Sequence, residues 1–164
     1  MGTGTEKSRF WLWIGVVVAV IALDQVTKFA ASTYLDYGRP VVLLPVFNLT
    51  LMHNTGAAFS FLSDAGGWQR WFFTGVSVLV SVLLVIWLSR LKREQWWLAL
   101  ALAMILGGAV GNLIDRMMYG YVVDFISVHY NNWFFPAFNI ADSGITVGAG
   151  MMIIDVLRNP HHHQ

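Results

Sequence analysis

The chain of 164 residues contains no cysteine, which excludes disulfide bonds and any reaction that uses a thiolate as nucleophile or ligand. Charged residues are also scarce, at 12% of the sequence, and the formal net charge is only +1. Because proteins that bind a nucleic-acid backbone carry clustered Lys and Arg, no nucleic-acid partner is expected.

Apolar residues make up 57% of the chain, and the mean hydropathy is +0.60. A soluble domain of this size needs more polar residues to cover its surface. A membrane-crossing helix needs about 20 mostly apolar residues, and four blocks reach or approach that length. The sequence therefore predicts an all-α membrane protein, with one domain over 1–164 and transmembrane helices over about 10–31, 68–88, 96–116 and 139–157.

Basic residues flank these blocks before the first, between the second and third, and after the fourth. They are Lys7, Arg9, Arg90, Lys92, Arg93 and Arg158. Since cytoplasmic loops carry the excess of Lys and Arg, both termini are predicted to be cytoplasmic. Segments 33–67 and 117–139 then face outward.

Within the first outer segment, the part over about 36–61 is rich in apolar and β-branched residues and is interrupted by Pro40 and Pro45. That composition favours short strands over a helix. We therefore expect a small β element at the outer face.

Six ionisable residues lie in, or just beyond, the predicted outer ends of the apolar blocks. They are Asp24, Lys28, Asp115, Arg116, Asp124 and Asp142. Ionisable groups near hydrocarbon are costly, so they are rare unless they perform chemistry or line a polar path. Their distribution predicts a buried polar site at the outer face.

Several of these positions allow a structural interpretation beside a functional one. Asp24 and Lys28 are four residues apart and share a helix face, which favours a structural ion pair. Asn54 is typical of a turn. Asn112, Asp115 and Arg116 form either a helix-end network or, through Arg116, a donor to a substrate carbonyl or lipid phosphate; the sequence leaves both open.

Asp124 and Asp142 are the strongest candidates for catalysis. Two carboxylates close together in a low-dielectric site share one proton, so one can activate a water while the other donates to a carbonyl. A proton-relay pair in a small proton-coupled transporter is the alternative, and a membrane chaperone or lipid-binding protein is a third class. No cofactor or metal is expected, since His53 and His129 are isolated and lack a zinc-binding pattern.

Five motifs together resemble the lipoprotein signal peptidases, or signal peptidase II, of bacterial inner membranes. In chain order they are Asp24-Gln-Val-Thr-Lys28, Asn54-Thr-Gly-Ala-Ala-Phe-Ser60, Gly107-Gly-Ala-Val-Gly-Asn112-Leu-Ile-Asp115-Arg116, Val123-Asp124-Phe125 and Phe135-Pro-Ala-Phe-Asn139-Ile-Ala-Asp142-Ser143. Each motif alone is weak, whereas five in order on four predicted spans are specific.

The resemblance implies four transmembrane helices with a small periplasmic β cradle and an active site near the periplasmic face. It implies removal of signal peptides from prolipoproteins, by cleavage before a diacylglyceryl-modified cysteine, and inhibition by globomycin-type peptide antibiotics. Membrane lipid is the expected surrounding partner. The implied roles are catalysis by Asp124 and Asp142, substrate binding or support by Asn54, Asn112, Arg116 and Asn139, and bracing by Asp24, Lys28 and Asp115.

Overall fold

The computed structural model describes residues 3–56 and 68–158. Four long helices occupy most of these residues. They are α1 (Thr3–Tyr34), α2 (Trp68–Arg90), α3 (Trp96–Tyr119) and α4 (Ile140–Arg158). All four are long and apolar enough to cross a membrane.

The helical surfaces that face away from the bundle are apolar. Val18 on α1 is 58% exposed, and Leu83 on α2 is 56% exposed. Such surfaces are unfavourable in water and match a hydrocarbon environment. The helices therefore belong to a multi-pass membrane protein.

Helix α3 is the centre of the bundle and packs against α1, α2 and α4. Six of its buried residues are alanine or glycine, which lets neighbouring backbones approach closely. An added Cβ at Gly148 of α4 would lie only 2.6 Å from the Ala101 carbonyl oxygen, and one at Gly107 would lie 2.7 Å from the Val20 Cβ. Close packing of α1 and α4 on α3 therefore requires these glycines.

Four antiparallel strands form one small sheet in the order β1-β2-β3-β4. They are β1 (Val41–Leu44), β2 (Phe47–Asn54), β3 (Val122–Tyr130) and β4 (Trp133–Phe134). The sheet packs on the end of α1 through a cluster of Ala31, Leu51, Val123 and Phe125. Four helices and a small antiparallel sheet confirm the predicted fold.

The sheet extends beyond the expected β element. Its first two strands fall within 36–61, and the part of that prediction over 57–61 lies outside the described residues. Strands β3 and β4 come from the second outer segment, for which the sequence analysis predicted no strand. The first four residues of β3 are all buried, so the polar–apolar alternation that would indicate a strand is missing there.

Candidate active site

One asparagine side chain lies between the two candidate catalytic aspartates. Asp124 is buried in β3, and Asp142 lies in the first turn of α4. The Asn139 Nδ2 donates to Asp124 Oδ1 at 2.8 Å, while the Asn139 Oδ1 accepts from the backbone N–H of Asp142 at 2.8 Å. The fully buried Asn139 amide thus connects the end of the sheet to the start of α4.

Asn112 of α3 links Asp142 to the interior of the bundle. Its Nδ2 donates to Asp142 Oδ1 at 2.8 Å. Its Oδ1 accepts from Lys28 Nζ at 2.9 Å and from Asn139 Nδ2 at 3.2 Å. Asn112 therefore joins the aspartate pair to an ion cluster on the α1 side.

That ion cluster consists of Lys28, Asp24 and Asp115. The Lys28 Nζ lies 2.8 Å from Asp24 Oδ2 and 2.9 Å from Asp115 Oδ2, with all three side chains buried. A buried cation between two carboxylates compensates part of their desolvation cost. The predicted pairing of Asp24 with Lys28 is present, and Asp115 completes it.

The two carboxylates of the ion cluster also accept hydrogen bonds from the chain. The Ala141 N–H donates to Asp24 Oδ1 at 2.8 Å, and the Val123 N–H donates to Asp115 Oδ2 at 2.9 Å. Ala141 immediately precedes Asp142, and Val123 immediately precedes Asp124. Each carboxylate thus holds the peptide group next to one of the candidate catalytic residues.

Gln25 also contacts the ion cluster, although no role was predicted for it from the sequence. Its Nε2 lies 2.9 Å from Asp115 Oδ1, 3.2 Å from Asp24 Oδ2 and 3.2 Å from the Gly111 carbonyl oxygen. The sequence signal for this role was a polar amide within an apolar helix, next to Asp24. Gly111 also makes room for Asp24, since an added Cβ there would lie 2.6 Å from Asp24 Oδ2.

Arg116 lies on the α2 side of the site. Its Nη1 donates to Ser77 Oγ at 3.4 Å, and its guanidinium carbon lies 5.8 Å from the centre of the Phe73 ring. Within residues 3–56 and 68–158, no carboxylate forms an ion pair with Arg116. Its charge does act on Asp142, Asp115 and Asp124. Among the described residues, Ser77 is the one hydrogen-bond acceptor of the Arg116 side chain.

Asn54 forms the turn that the sequence predicted and also contacts Asp124. Its Oδ1 accepts from the Gly56 N–H at 2.9 Å, as in an Asx turn. Gly56 adopts a φ of +83°, and an added Cβ there would lie 2.6 Å from the Phe73 ring. The Asn54 side chain also hydrogen bonds to Asp124. The turn thus brings the end of β2 to the aspartate pair.

Burial dominates the electrostatics of Asp124. Desolvation, followed by the charge of Asp142, raises the pKa of Asp124 to about 7. Hydrogen bonds from Asn54 and Asn139 and the charge of Lys28 oppose this rise. A carboxyl group that titrates near neutral pH suits general acid–base chemistry.

His53 and His129 make aromatic contacts on the sheet. His53 stacks on Tyr121 with ring centres 4.0 Å apart, and burial lowers its pKa. His129 stacks on Phe134 at 4.9 Å. Across the part of the chain that the structure describes, no three His, Asp or Glu residues group together as metal ligands do.

An apolar groove of about 480 Å³ opens beside Asp142. Its wall is formed by the segment before α4 and by the first turns of α4. The lining residues include Phe135, Pro136, Phe138, Ser143, Thr146 and Val147. A carboxylate at the edge of an apolar groove suits a ligand with both apolar and polar parts.

The fold and the site together define a multi-pass membrane protein in which buried Asp124 and half-buried Asp142 lie beside an apolar groove. The sequence model of the signal peptidase II family matches residues 16–158, and the chain belongs to that family. The predicted family membership is therefore confirmed, and the family is one of peptidases.

Individual relatives agree with this assignment. The lipoprotein signal peptidase of Acinetobacter baumannii is 60% identical over 144 residues, covering 88% of this chain and 82% of that protein. That of Pseudomonas paraeruginosa is 57% identical over 160 residues, covering 94% of each. A bacterial membrane enzyme solved by the in meso method matches with a TM-score of 0.81 and 34% identity, over 90% of this chain and 94% of its own.

The raised pKa of Asp124 predicts a pH-dependent effect of Asp124→Asn on stability. Because the folded-state pKa of about 7 exceeds the ordinary 3.8, the stability that this group contributes is complete below pH 3.8. That stability is lost as the pH rises through 7. At pH 8 the variant should melt at a higher temperature than the wild type, since asparagine does not ionise, and at pH 5 the difference should shrink.

Melting followed by tryptophan fluorescence in detergent measures this effect. Asp36→Asn is the matched control, because the Asp36 side chain is 76% exposed and should show no such pH dependence. A stability difference for Asp124→Asn that is the same at pH 5 and pH 8 would contradict the raised pKa.

Proposed function

We propose that this chain is an aspartic endopeptidase that removes the signal peptide from diacylglyceryl-modified prolipoproteins. Cleavage falls immediately before the lipidated cysteine. The observation that carries the proposal is the Asn139 amide, which holds Asp124 and Asp142 on its two ends. The relatives named lipoprotein signal peptidase supply the substrate class. No comparison supports the transporter alternative.

The chemistry needs one carboxyl group in each protonation state. The ionised carboxylate takes a proton from a water molecule, and the water oxygen attacks the carbonyl carbon of the scissile peptide. The protonated carboxyl group donates its proton to the carbonyl oxygen, which gives a neutral tetrahedral intermediate. Collapse of that intermediate transfers a proton to the departing amine and restores the pair.

The apolar groove accounts for the form of the substrate. A signal peptide is an apolar segment, and a diacylglyceryl group requires hydrocarbon around it. The groove beside Asp142 is lined by Phe135, Phe138 and Val147. A substrate diffusing in the membrane lipid enters this groove sideways and brings its peptide bond to Asp142. Globomycin-type peptide antibiotics inhibit by occupying the same groove.

Arg116 and Asn54 bind the substrate backbone beside the groove. Arg116 carries donors that no carboxylate occupies among the described residues. A guanidinium binds peptide carbonyl or lipid ester oxygens well in a low-dielectric site. Asn54 is exposed and already contacts Asp124, so it can contact both the substrate and the aspartate pair.

The protein lies in the bacterial inner membrane, with both termini in the cytoplasm and the site near the periplasmic face. Two contacts support this orientation. Arg9 of α1 donates to the Arg93 carbonyl oxygen at 3.1 Å, and the Arg158 guanidinium carbon lies 5.8 Å from the Trp97 ring centre. The basic start of α1, the segment before α3 and the basic end of α4 thus lie together, which matches a cytoplasmic face.

Single cysteines test this orientation, and the cysteine-free chain gives no background labelling. Asn132→Cys, between β3 and β4, should react with a membrane-impermeant maleimide in intact spheroplasts. Ser89→Cys, at the end of α2, is likewise exposed but should react only after permeabilisation. Labelling of the Ser89→Cys protein in intact spheroplasts would overturn the orientation.

The aspartic mechanism predicts near-complete loss of activity when either carboxyl group is removed. General acid–base groups contribute about 10²–10⁴ in rate. Asp124→Asn and Asp142→Asn should each lower kcat by at least about 10², and the double variant should be scarcely worse, because groups acting as a unit are not additive. Cleavage of a lipidated prolipoprotein by purified protein in detergent measures these rates.

The exposed Asp36→Asn variant controls for removal of a carboxylate as such and should cleave at the wild-type rate. Melting curves should show that the dyad variants are folded. Substantial turnover by a folded Asp124→Asn or Asp142→Asn protein would exclude the aspartic mechanism.

A further inference from the structure

The ammonium group of Lys28 determines which end of the Asn112 amide faces Asp142. A lysine ammonium carries donors only, and Lys28 Nζ lies 2.9 Å from the Asn112 side chain. The atom of Asn112 that faces Lys28 must therefore be the carbonyl oxygen. The amide nitrogen then faces Asp142, at 2.8 Å from its Oδ1.

The opposite orientation of Asn112 is excluded by its other neighbours. A rotated amide would place its N–H groups against the Lys28 ammonium and its oxygen against the Asp142 carboxylate. It would also lose the hydrogen bond from Asn139 Nδ2, which reaches the Asn112 oxygen at 3.2 Å. One orientation satisfies Lys28, Asn139 and Asp142 together.

This orientation gives Asp142 a side-chain donor, the Asn112 amide nitrogen, that serves no other acceptor among the described residues. Asp142 accepts from Asn112 Nδ2 on one oxygen and from the Asn139 backbone N–H, at 3.3 Å, on the other. Asp124 accepts from Asn54 and from Asn139, but it shares the Asn139 donor with the Asn112 oxygen and the Val123 carbonyl. Donors stabilise an ionised carboxylate and burial destabilises it, so the Asn112 donor on half-buried Asp142 and the burial of Asp124 favour the charge on Asp142.

We propose that Lys28 is a positioning residue that, through the Asn112 amide, makes Asp142 the ionised member of the pair. Asp142 is then the base that activates water, and Asp124 holds the shared proton and donates it to the peptide carbonyl. This inference rests on the proposed aspartic peptidase function. The raised pKa of Asp124, about 7, is consistent with a carboxyl group that holds a proton.

The electrostatic field of the ion cluster does not by itself stabilise the ionised form of Asp142. Charged groups face the aspartate pair from α1 (Asp24 and Lys28) and from α3 (Asp115 and Arg116). Within the cluster, one cation is opposed by two carboxylates, so its net charge does not favour an anionic Asp142. The hydrogen bond that Lys28 directs through Asn112 is the contribution specific to Asp142.

A matched pair of variants separates positioning from bracing. Lys28→Met removes the donor to Asn112, whereas Asp24→Asn breaks the same ion cluster and leaves that donor in place. If Lys28 and Asp24 only brace the helices, both variants should be less stable and should keep the wild-type pH profile. If Lys28 is a positioning residue, only Lys28→Met should shift the acid limb of the pH profile upward. The acid limb is the low-pH side of the profile, and its position is the pH at which kcat/KM is half-maximal there.

The expected upward shift for Lys28→Met is about one pH unit, the scale on which a neighbouring charge or hydrogen bond changes a carboxyl pKa. Its kcat at neutral pH should fall about tenfold or more. Asp24→Asn removes a negative charge, so its acid limb should not move upward. Cleavage rates of the lipidated prolipoprotein across pH 5–9, with melting curves, measure both effects.

Asn112→Asp provides a second test that keeps the acceptor for Lys28 and so carries the test if Lys28→Met does not fold. The new carboxylate pairs with Lys28 but has no N–H for Asp142. The acid limb should again move upward, and kcat should fall more than KM changes. Asn48→Asp is the matched control, since Asn48 is a buried asparagine in β2 outside this network.

Two results would overturn the inference: an acid limb for Lys28→Met no higher than that for Asp24→Asn, or wild-type kcat and acid limb for Asn112→Asp. Failure of the proposed function itself looks different. In that case the wild type would not cleave the prolipoprotein, or the Asp124→Asn and Asp142→Asn proteins would remain active.

Discussion

The architecture of the site depends on the buried ion cluster of Lys28, Asp24 and Asp115. Removing one partner from a buried charge pair costs about 3–5 kcal/mol, because the remaining charge is uncompensated. Here Lys28 lies 2.8 Å from one carboxylate and 2.9 Å from the other. The cluster connects α1 to α3, and its hydrogen bonds reach β3 and α4 as well.

The consequence for catalysis follows from the two backbone contacts of the cluster. Asp115 accepts the N–H of the residue before Asp124, and Asp24 accepts the N–H of the residue before Asp142. The relative position of the two catalytic candidates is therefore set from outside the pair. Gly111 permits this arrangement, because a side chain there would displace Asp24 from between the helices.

Much of this arrangement was predictable from the sequence because the cost of burying charge leaves a clear pattern. The spacing of Asp24 and Lys28 indicated their pairing, and apolar length indicated the four helices that the structure contains. Strand β3 was missed since Val122 to Phe125 are buried on both faces. The contribution of Gln25 depends on a contact with Asp115, 90 positions away, which no local pattern indicates.

A direct observation of the carboxyl protons tests the central claim, that Asp124 and Asp142 form a pair sharing one proton. Infrared spectroscopy of the protein in detergent, with ¹³C-labelled aspartate, detects a protonated carboxyl group by its C=O stretch. The account predicts one such group at pH 6 that titrates near pH 7, in line with the raised pKa of Asp124, and that disappears in Asp124→Asn. Full ionisation of every aspartate at pH 6 would contradict it.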